Sequence, residues 1–267
     1  MKIKIPVENL ITCAILFGLV CAPAHAFLEG QATKVIIKVG SLISHPNAVP
    51  SEEIARLASL GNKTGGTKEI GQILGRRNLP PSVLEDAYMR IAIQQEKITR
   101  LEAEGMMIRL NGTPGFRSTI SKIVGNSDVK TSGHLHELRI ADNAAQNGYK
   151  VKGIGETFND GKKISSTDID ILLEKNGRVV AIEAKNYSPN TPIPMDKFRA
   201  DMDSLVEYAK RNPSGRVLNI FSVANKPGDE QAWKLLNLEA ERRGVQLIEG
   251  SPEQQIILIE RLLKEAI

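Results

Sequence analysis

The sequence predicts an α/β protein: a mixed β-sheet carrying helices on both faces, preceded by a small, mainly helical region. Three observations lead there. From Thr131 onward, apolar residues recur with periods of 3.6 and 2 in the order α-β-β-β-α-β-α-β-α. Segments 167–174 and 178–185 read as two strands joined by a tight connection, each with charge where a buried strand should have none. The preceding hundred residues show helical spacing, with no internal repeat and no low-complexity tract.

The chain has 267 residues, 41% hydrophobic and 25% charged, an ordinary globular composition that excludes a disordered or fibrous protein. Residues 1–26 read as a signal peptide. Lys2 and Lys4 give a basic start, 10–22 is an apolar run, and Ala24-His25-Ala26 offers small residues for cleavage. The run is shorter than the ~20 apolar residues of a spanning helix, so no stable membrane insertion is expected after cleavage. An uncleaved N-terminal anchor is the alternative. Cys21 follows Val20, a poor fit to a lipoprotein site. The protein is therefore expected in the periplasm or secreted. Cys13 and Cys21 both lie in this segment, which leaves the mature chain without a disulfide or a cysteine metal site. Lys2 and Lys4 against Glu8 account for +1 of the formal charge of +4, leaving +3, which is compatible with a polyanionic partner without requiring one.

Region 27–117 is expected to be helical. Segment 34–39 is too short to assign. Ser51 reads as an N-cap with Glu52 and Glu53 in the first turn, and the glycines of 61–66 break that helix. A short helix covers 67–76. Pro80-Pro81-Ser82 opens the longest helical pattern, to about Glu104, with Leu84, Tyr88, Ile91, Ile93, Ile98 and Leu101 roughly spaced for one apolar face and Gly105 as its stop. Asn111-Gly112-Thr113-Pro114-Gly115 is a turn cluster. Region 118–267 then holds a helix over 133–147, a strand over 149–155, the two charged strands, and a helix over 196–211. A strand over 217–223, a helix over 229–243, a strand over 245–248 and a final helix over 252–266 complete it.

The charged strands carry the chemistry. Side chains alternate along a strand, so Asp168 and Asp170 share one face of the first, and Glu183 and Lys185 share one face of the second. Burying such charges is costly unless they pair or hold a cation. Phosphodiester hydrolysis needs an activated water and stabilisation of the anionic transition state, and a hard cation with oxygen ligands serves both needs. Asp170 and Glu183 supply carboxylates for Mg²⁺ or Mn²⁺, with the carbonyl of Ala184 as a further oxygen. Lys185 is placed to position the water and stabilise charge. Asp168 is one pleat from Asp170, and Lys162 and Lys163 lie in the loop entering that strand, where they can meet a phosphate backbone.

Plainer readings stand beside these. Glu183 and Lys185 could be the solvent side of an edge strand, and Lys162 and Lys163 a solvated loop. Glu-x-Lys is weak by itself, since Glu102-Ala103-Glu104 and Glu239-Ala240-Glu241 show how common such spacing is in helices. His134 and His136 do not form a zinc-protease motif, because Ile140 stands where its second histidine belongs; two apart on a helix, they read as surface or helix-start residues. Trp233 reads as core, and Lys197 and Arg199 as an outer helix face.

Asp170, twelve intervening residues, and Glu183-Ala184-Lys185 resemble the signature of the PD-(D/E)XK nuclease superfamily, the restriction-endonuclease-like fold, and the α-β-β-β-α-β order from Gly133 is similar to its core. Asp168-Ile169 replaces the proline of the family's name. The resemblance covers about 131–223. It implies a metal-dependent phosphodiesterase acting on nucleic acid, with DNA as the expected polymer, and it gives Glu137 of the first core helix a catalytic place beside Asp170, Glu183 and Lys185. The protein partners left open are a second copy of the chain and a cognate inhibitor. The alternatives are a non-catalytic binding module that keeps the fold, and an exported toxin nuclease.

Overall fold

A computed structural model describes residues 39–125, 127–158, 167–213 and 216–265. The expected signal peptide, segment 34–38 and the loop with Lys162 and Lys163 lie outside the described residues. The elements run α1 (Ser51–Gly61), α2 (Gly66–Gly75), α3 (Pro81–Gln94), α4 (Arg100–Leu110), α5 (Phe116–Ile123), α6 (Asp128–Gln146), β1 (Lys150–Phe158), β2 (Thr167–Lys175), β3 (Arg178–Lys185), α7 (Met195–Arg211), β4 (Val217–Val223), α8 (Glu230–Arg242), β5 (Gln246–Glu249) and α9 (Pro252–Glu265). Among the described residues, no helix is long and apolar enough to cross a membrane.

The five strands lie in chain order, β1-β2-β3-β4-β5. The first three are antiparallel neighbours, and β4 and β5 add in parallel. The β2–β3 turn places Asn176 (φ 53°) and Gly177 (φ 73°) in the left-handed region, the conformation whose twist matches a two-residue hairpin. Each strand of the parallel part needs a crossover, which α7 and α8 provide.

Alternation along the strands divides the core in two. Leu172, Ala181, Phe221 and Val223 meet Phe198, Met202 and Leu205 of α7 and Leu236 and Ala240 of α8. Phe198 sits edge-on against Phe221, ring centres 4.6 Å apart. On the other face Ile171, Leu173, Val180, Ile182 and Ile220 meet Leu138 and Ala141 of α6 and Ile256 and Ile259 of α9. The same cluster continues into α1–α5, so the N-terminal helices and the sheet share one core. The described residues all belong to one unit, Ile37–Ile267, and α5 lies across residue 117.

Several helix boundaries differ from the sequence reading, each for a local reason. The long pattern of 80–104 is two helices. Glu96 takes φ 59° after α3, and Lys97 N–H donates to Ala92 O (3.0 Å), a left-handed C-terminal closure made without glycine. Thr99 then caps α4 by accepting from Glu102 N (3.2 Å). Gly105 lies inside α4 instead of ending it: a β-carbon there would meet the Arg109 guanidinium, which crosses it to bind Asp142 at 2.7 and 2.8 Å. Ser51 is the first helical residue of α1 and caps nothing; its hydroxyl donates to Val39 O and accepts from Arg90. Arg90, 1% exposed, also donates to Val39 O and Val49 O and pairs with Asp86, so a buried guanidinium ties the segment before α1 to α3. Helix α5 was not foreseen: it is eight residues long, with Phe116, Thr119, Ile120 and Ile123 buried on one face.

Candidate active site

The site lies where the sheet forks. Strands β2 and β3 pair in register from Lys175↔Arg178 to Ile171↔Ile182, the last pair of that ladder. The next residues outward are Asp170 and Glu183. Beyond this point β2 stays with β1, and β3 stays with β4 as far as Lys185↔Val223. The Asp170 carboxylate takes the place of the missing ladder acceptor: its Oδ2 accepts from Ala184 N–H at 2.8 Å. Asp170 and Glu183 each lie two residues beyond the opposed pair Leu172↔Ala181. Glu183 continues the α7–α8 face of Ala181, whereas Asp170 sits where β2 turns, between Ile169 in the α7–α8 core and Ile171 in the opposite one. β3 is an interior strand and Glu183 is buried, 6% exposed, which rules out the edge-strand reading.

The Lys185 ammonium lies between two carboxylates. One is Glu183, in direct hydrogen-bond contact; the other is Asp201 of α7, with Nζ to Oδ2 3.2 Å. The sequence reading missed Asp201, although a signal was present. On α7 the buried stripe is Phe198, Met202 and Leu205, and Asp201 stands three after the first and four before the last. A carboxylate set into a sheet-facing stripe has to meet a partner there.

Glu137, on α6, is buried at 8% exposure. Its two oxygens lie 3.1 and 3.2 Å from His134 Nδ1, and its charge reaches Asp170. Asn186, next after β3, donates to Ser132 O on α6 (3.3 Å), which holds the β3 exit against the half of α6 that carries Glu137. Asp168 is exposed, and its charge acts on Asp170. Ala184 is buried and holds Asp170 through its amide. Lys162 and Lys163 lie outside the described residues. Lys197 is exposed, and Arg199 is tied to Glu239 at 2.7 Å, an outer face as expected. Trp233 packs half-buried against the α7–α8 core. His136 departs from its surface reading: it is 6% exposed, and its Nε2 meets no partner among the described residues.

The electrostatics follow from crowding acids in a dry place. Burial pushes the Asp170 carboxyl up to about 7; Glu137 and Asp168 add to the rise, and the Lys185 ammonium and the Ala184 amide oppose it. Burial also raises Glu183 well above the usual carboxylate range, with Asp170 and Asp201 adding and Lys185 opposing. For Lys185, burial disfavours the charge, but Glu183, Asp170 and Asp201 together outweigh it and hold the ammonium above its ordinary value. Burial raises the half-buried Tyr187 phenol as well, and it feels the charges of Lys185, Asp201 and Glu183. One ammonium thus faces the acids Asp170, Glu183 and Asp201, with Glu137 adding its charge at Asp170, and the deficit is of positive charge.

A divalent cation would supply that charge. The donors are oxygens, which suit a hard ion, and magnesium is held by one or two carboxylates while keeping several waters. Among the described residues no three acidic, histidine or cysteine side chains converge tightly enough to cage an ion. Two carboxylates with open coordination positions fit magnesium or manganese, not a closed structural site.

No protein-family model matches this chain, and no curated protein matches it.

Proposed function

We propose that the protein is a metal-dependent nuclease that hydrolyses phosphodiester bonds, with DNA as the polymer its sequence resemblance favours. The observation that supports this most is the fork itself. A buried Glu183, an Asp170 that closes the strand gap, and a charged Lys185 meet where β2 and β3 part, in a cluster short of positive charge. A structural ion pair does not call for so many acids around one ammonium, since each unneutralised buried charge is costly.

Asp170 and Glu183 would hold Mg²⁺ or Mn²⁺, which when bound supplies Lewis acidity toward the phosphate and its attacking water. The chain's own residues set the rest. Ala184 N–H fixes the Asp170 carboxylate on the site side of the fork. Asp201 holds Lys185 in place from α7. Because Lys185 stays protonated, it orients water and stabilises the phosphorane's negative charge and does not abstract the proton. Glu137, oriented by His134, stands beside the site on α6. Water adds to phosphorus, one P–O ester bond breaks, and a phosphomonoester and a free hydroxyl result.

The test is incubation of the protein with linear, circular and single-stranded DNA and with RNA, in magnesium, in manganese and in chelator. Cleavage that requires the metal and disappears in Glu183→Gln supports the reading. Absence of cleavage on all substrates, or cleavage unchanged in that variant, removes it.

A further inference from the structure

Beside the β3 exit, at the carboxyl ends of the parallel strands β4 and β5, a cleft of about 580 Å³ opens against α9. Ligands of α/β sheets collect at such strand ends, and the size suits a small organic ligand. The cleft is joined directly to the catalytic segment. Ala224 N–H donates to Lys185 O (2.9 Å), Asn225 Nδ2 donates to Tyr187 O (2.9 Å), and Gly228 N–H donates to Pro189 O (2.9 Å). The chain carrying Lys185 therefore runs along the cleft's rim.

The lining is specific in chemistry. Glu249, the last residue of β5, lines the cleft with a carboxylate oxygen out of solvent and without a hydrogen-bond partner among the described residues. An unpaired buried acceptor is expensive and calls for a donor. Gln254 and Lys226 bring N–H donors, an amide and an ammonium, to the same cleft. The Gln254 carbonyl is already taken by Ser251 N–H (2.8 Å), which leaves its amide nitrogen as the group on offer. Lys226 feels the Glu249 charge, although it also pairs with Glu230 at 2.8 Å. Ile257, 60% exposed, and Leu258 give an apolar wall. Gly250, at φ 120°, keeps the floor open where a side chain would run into Gln254.

We propose that this cleft is a base-recognition subsite that takes cytosine. A carboxylate accepting from the N4 amine of cytosine is a recurring base contact. The ring N3 and O2 acceptors of the same edge match donors of the kind Gln254 and Lys226 carry, and the flat ring matches the Ile257–Leu258 wall. Thymine offers a carbonyl where cytosine offers the amine, and would set that oxygen against the Glu249 carboxylate. The inference rests on the nuclease reading for the source of the base, a strand whose phosphate lies at the fork, but the recognition itself needs no catalysis.

The test is therefore binding, in chelator, on the full chain. Deoxycytidine 5′-monophosphate and thymidine 5′-monophosphate are titrated at millimolar concentration, followed by amide chemical shifts of Asn225, Gly250 and Gln254. The cytosine nucleotide should bind at least about tenfold more tightly, the discrimination one good base contact supplies, and Glu249→Gln should remove the preference. A deoxycytidine oligonucleotide should displace the mononucleotide. Equal affinity, no binding of either, or a preference that survives in Glu249→Gln overturns the subsite. A mononucleotide that the oligonucleotide fails to displace overturns its link to a nucleic-acid strand. The metal-dependent cleavage assay is separate, so failure of catalysis and failure of recognition are read independently.

Discussion

Replacing Asp170 by asparagine should stabilise the metal-free protein above neutral pH while abolishing cleavage. The Asp170 carboxyl titrates near 7 in the folded chain against an ordinary 3.8. Folding therefore favours its protonated form, and the folded state keeps a proton that the unfolded chain has released. Between about pH 4 and 7 the unfolded state binds fewer protons, so wild-type stability falls as pH rises through that window and levels off above it. A shift of roughly three units corresponds to a ceiling of about 4 kcal/mol. Lys185 loses part of its field when Asp170 is neutral, and coupling to Glu183 reduces the gain, so about 2 kcal/mol is expected. Asparagine keeps an oxygen for Ala184 N–H, and the Lys185 pairs with Glu183 and Asp201 remain. For a chain of this size the gain is about 4–8 °C in Tm. Thermal melts in chelator should show wild type and variant close together near pH 4 and separated near pH 8. A variant equal to or less stable than wild type at the higher pH would refute the argument.

Asp201→Asn should lower cleavage by about 10- to 100-fold, the scale of losing a positioning partner, while leaving substrate affinity nearly unchanged; steady-state kinetics separates the two. His136 is held down to about 4 by burial and the Arg139 charge. The unfolded chain thus takes up a proton near 6.5 that the folded chain refuses, and as pH falls from about 6.5 to 4 this group removes up to about 3 kcal/mol. Denaturant titrations across that range should show a shallower decline in His136→Gln. Gly115 sits at φ 79°, and a β-carbon there would collide with the Ile154 carbonyl, so Gly115→Ala should cost at least about 2 kcal/mol, read by chemical denaturation.

The sheet and the adjacency of its two charged strands were legible because strand chemistry is local. Period-two alternation puts Glu183 and Lys185 on one face of their strand, and a short turn between apolar runs makes the two strands neighbours. The nearness of Asp170 to Glu183 therefore follows from the sequence, while the turn of β2 at Asp170, between Ile169 in one core and Ile171 in the other, does not. What escaped depends on tertiary contact or on an unusual backbone. Asp201 joins the site because α7 crosses that face, a pairing that no spacing in the chain encodes, although its place in the apolar stripe was a usable sign. The left-handed Glu96 that divides α3 from α4 lacks the glycine that normally marks such a closure. Gly105 misled in the opposite sense, being needed for the passage of Arg109 and not for a turn. His136 looked like surface because the packing of α6 on both its sides was not foreseeable from its neighbours in sequence.

The most direct test compares magnesium-dependent cutting of DNA by wild type and by Glu183→Gln at equal concentrations of folded protein. The account predicts cutting by wild type that chelator abolishes, and a loss in the variant of at least about 100-fold, the usual scale for removing one group that stabilises the transition state. Equal cutting by the two proteins, or undiminished cutting by wild type in chelator, would contradict it.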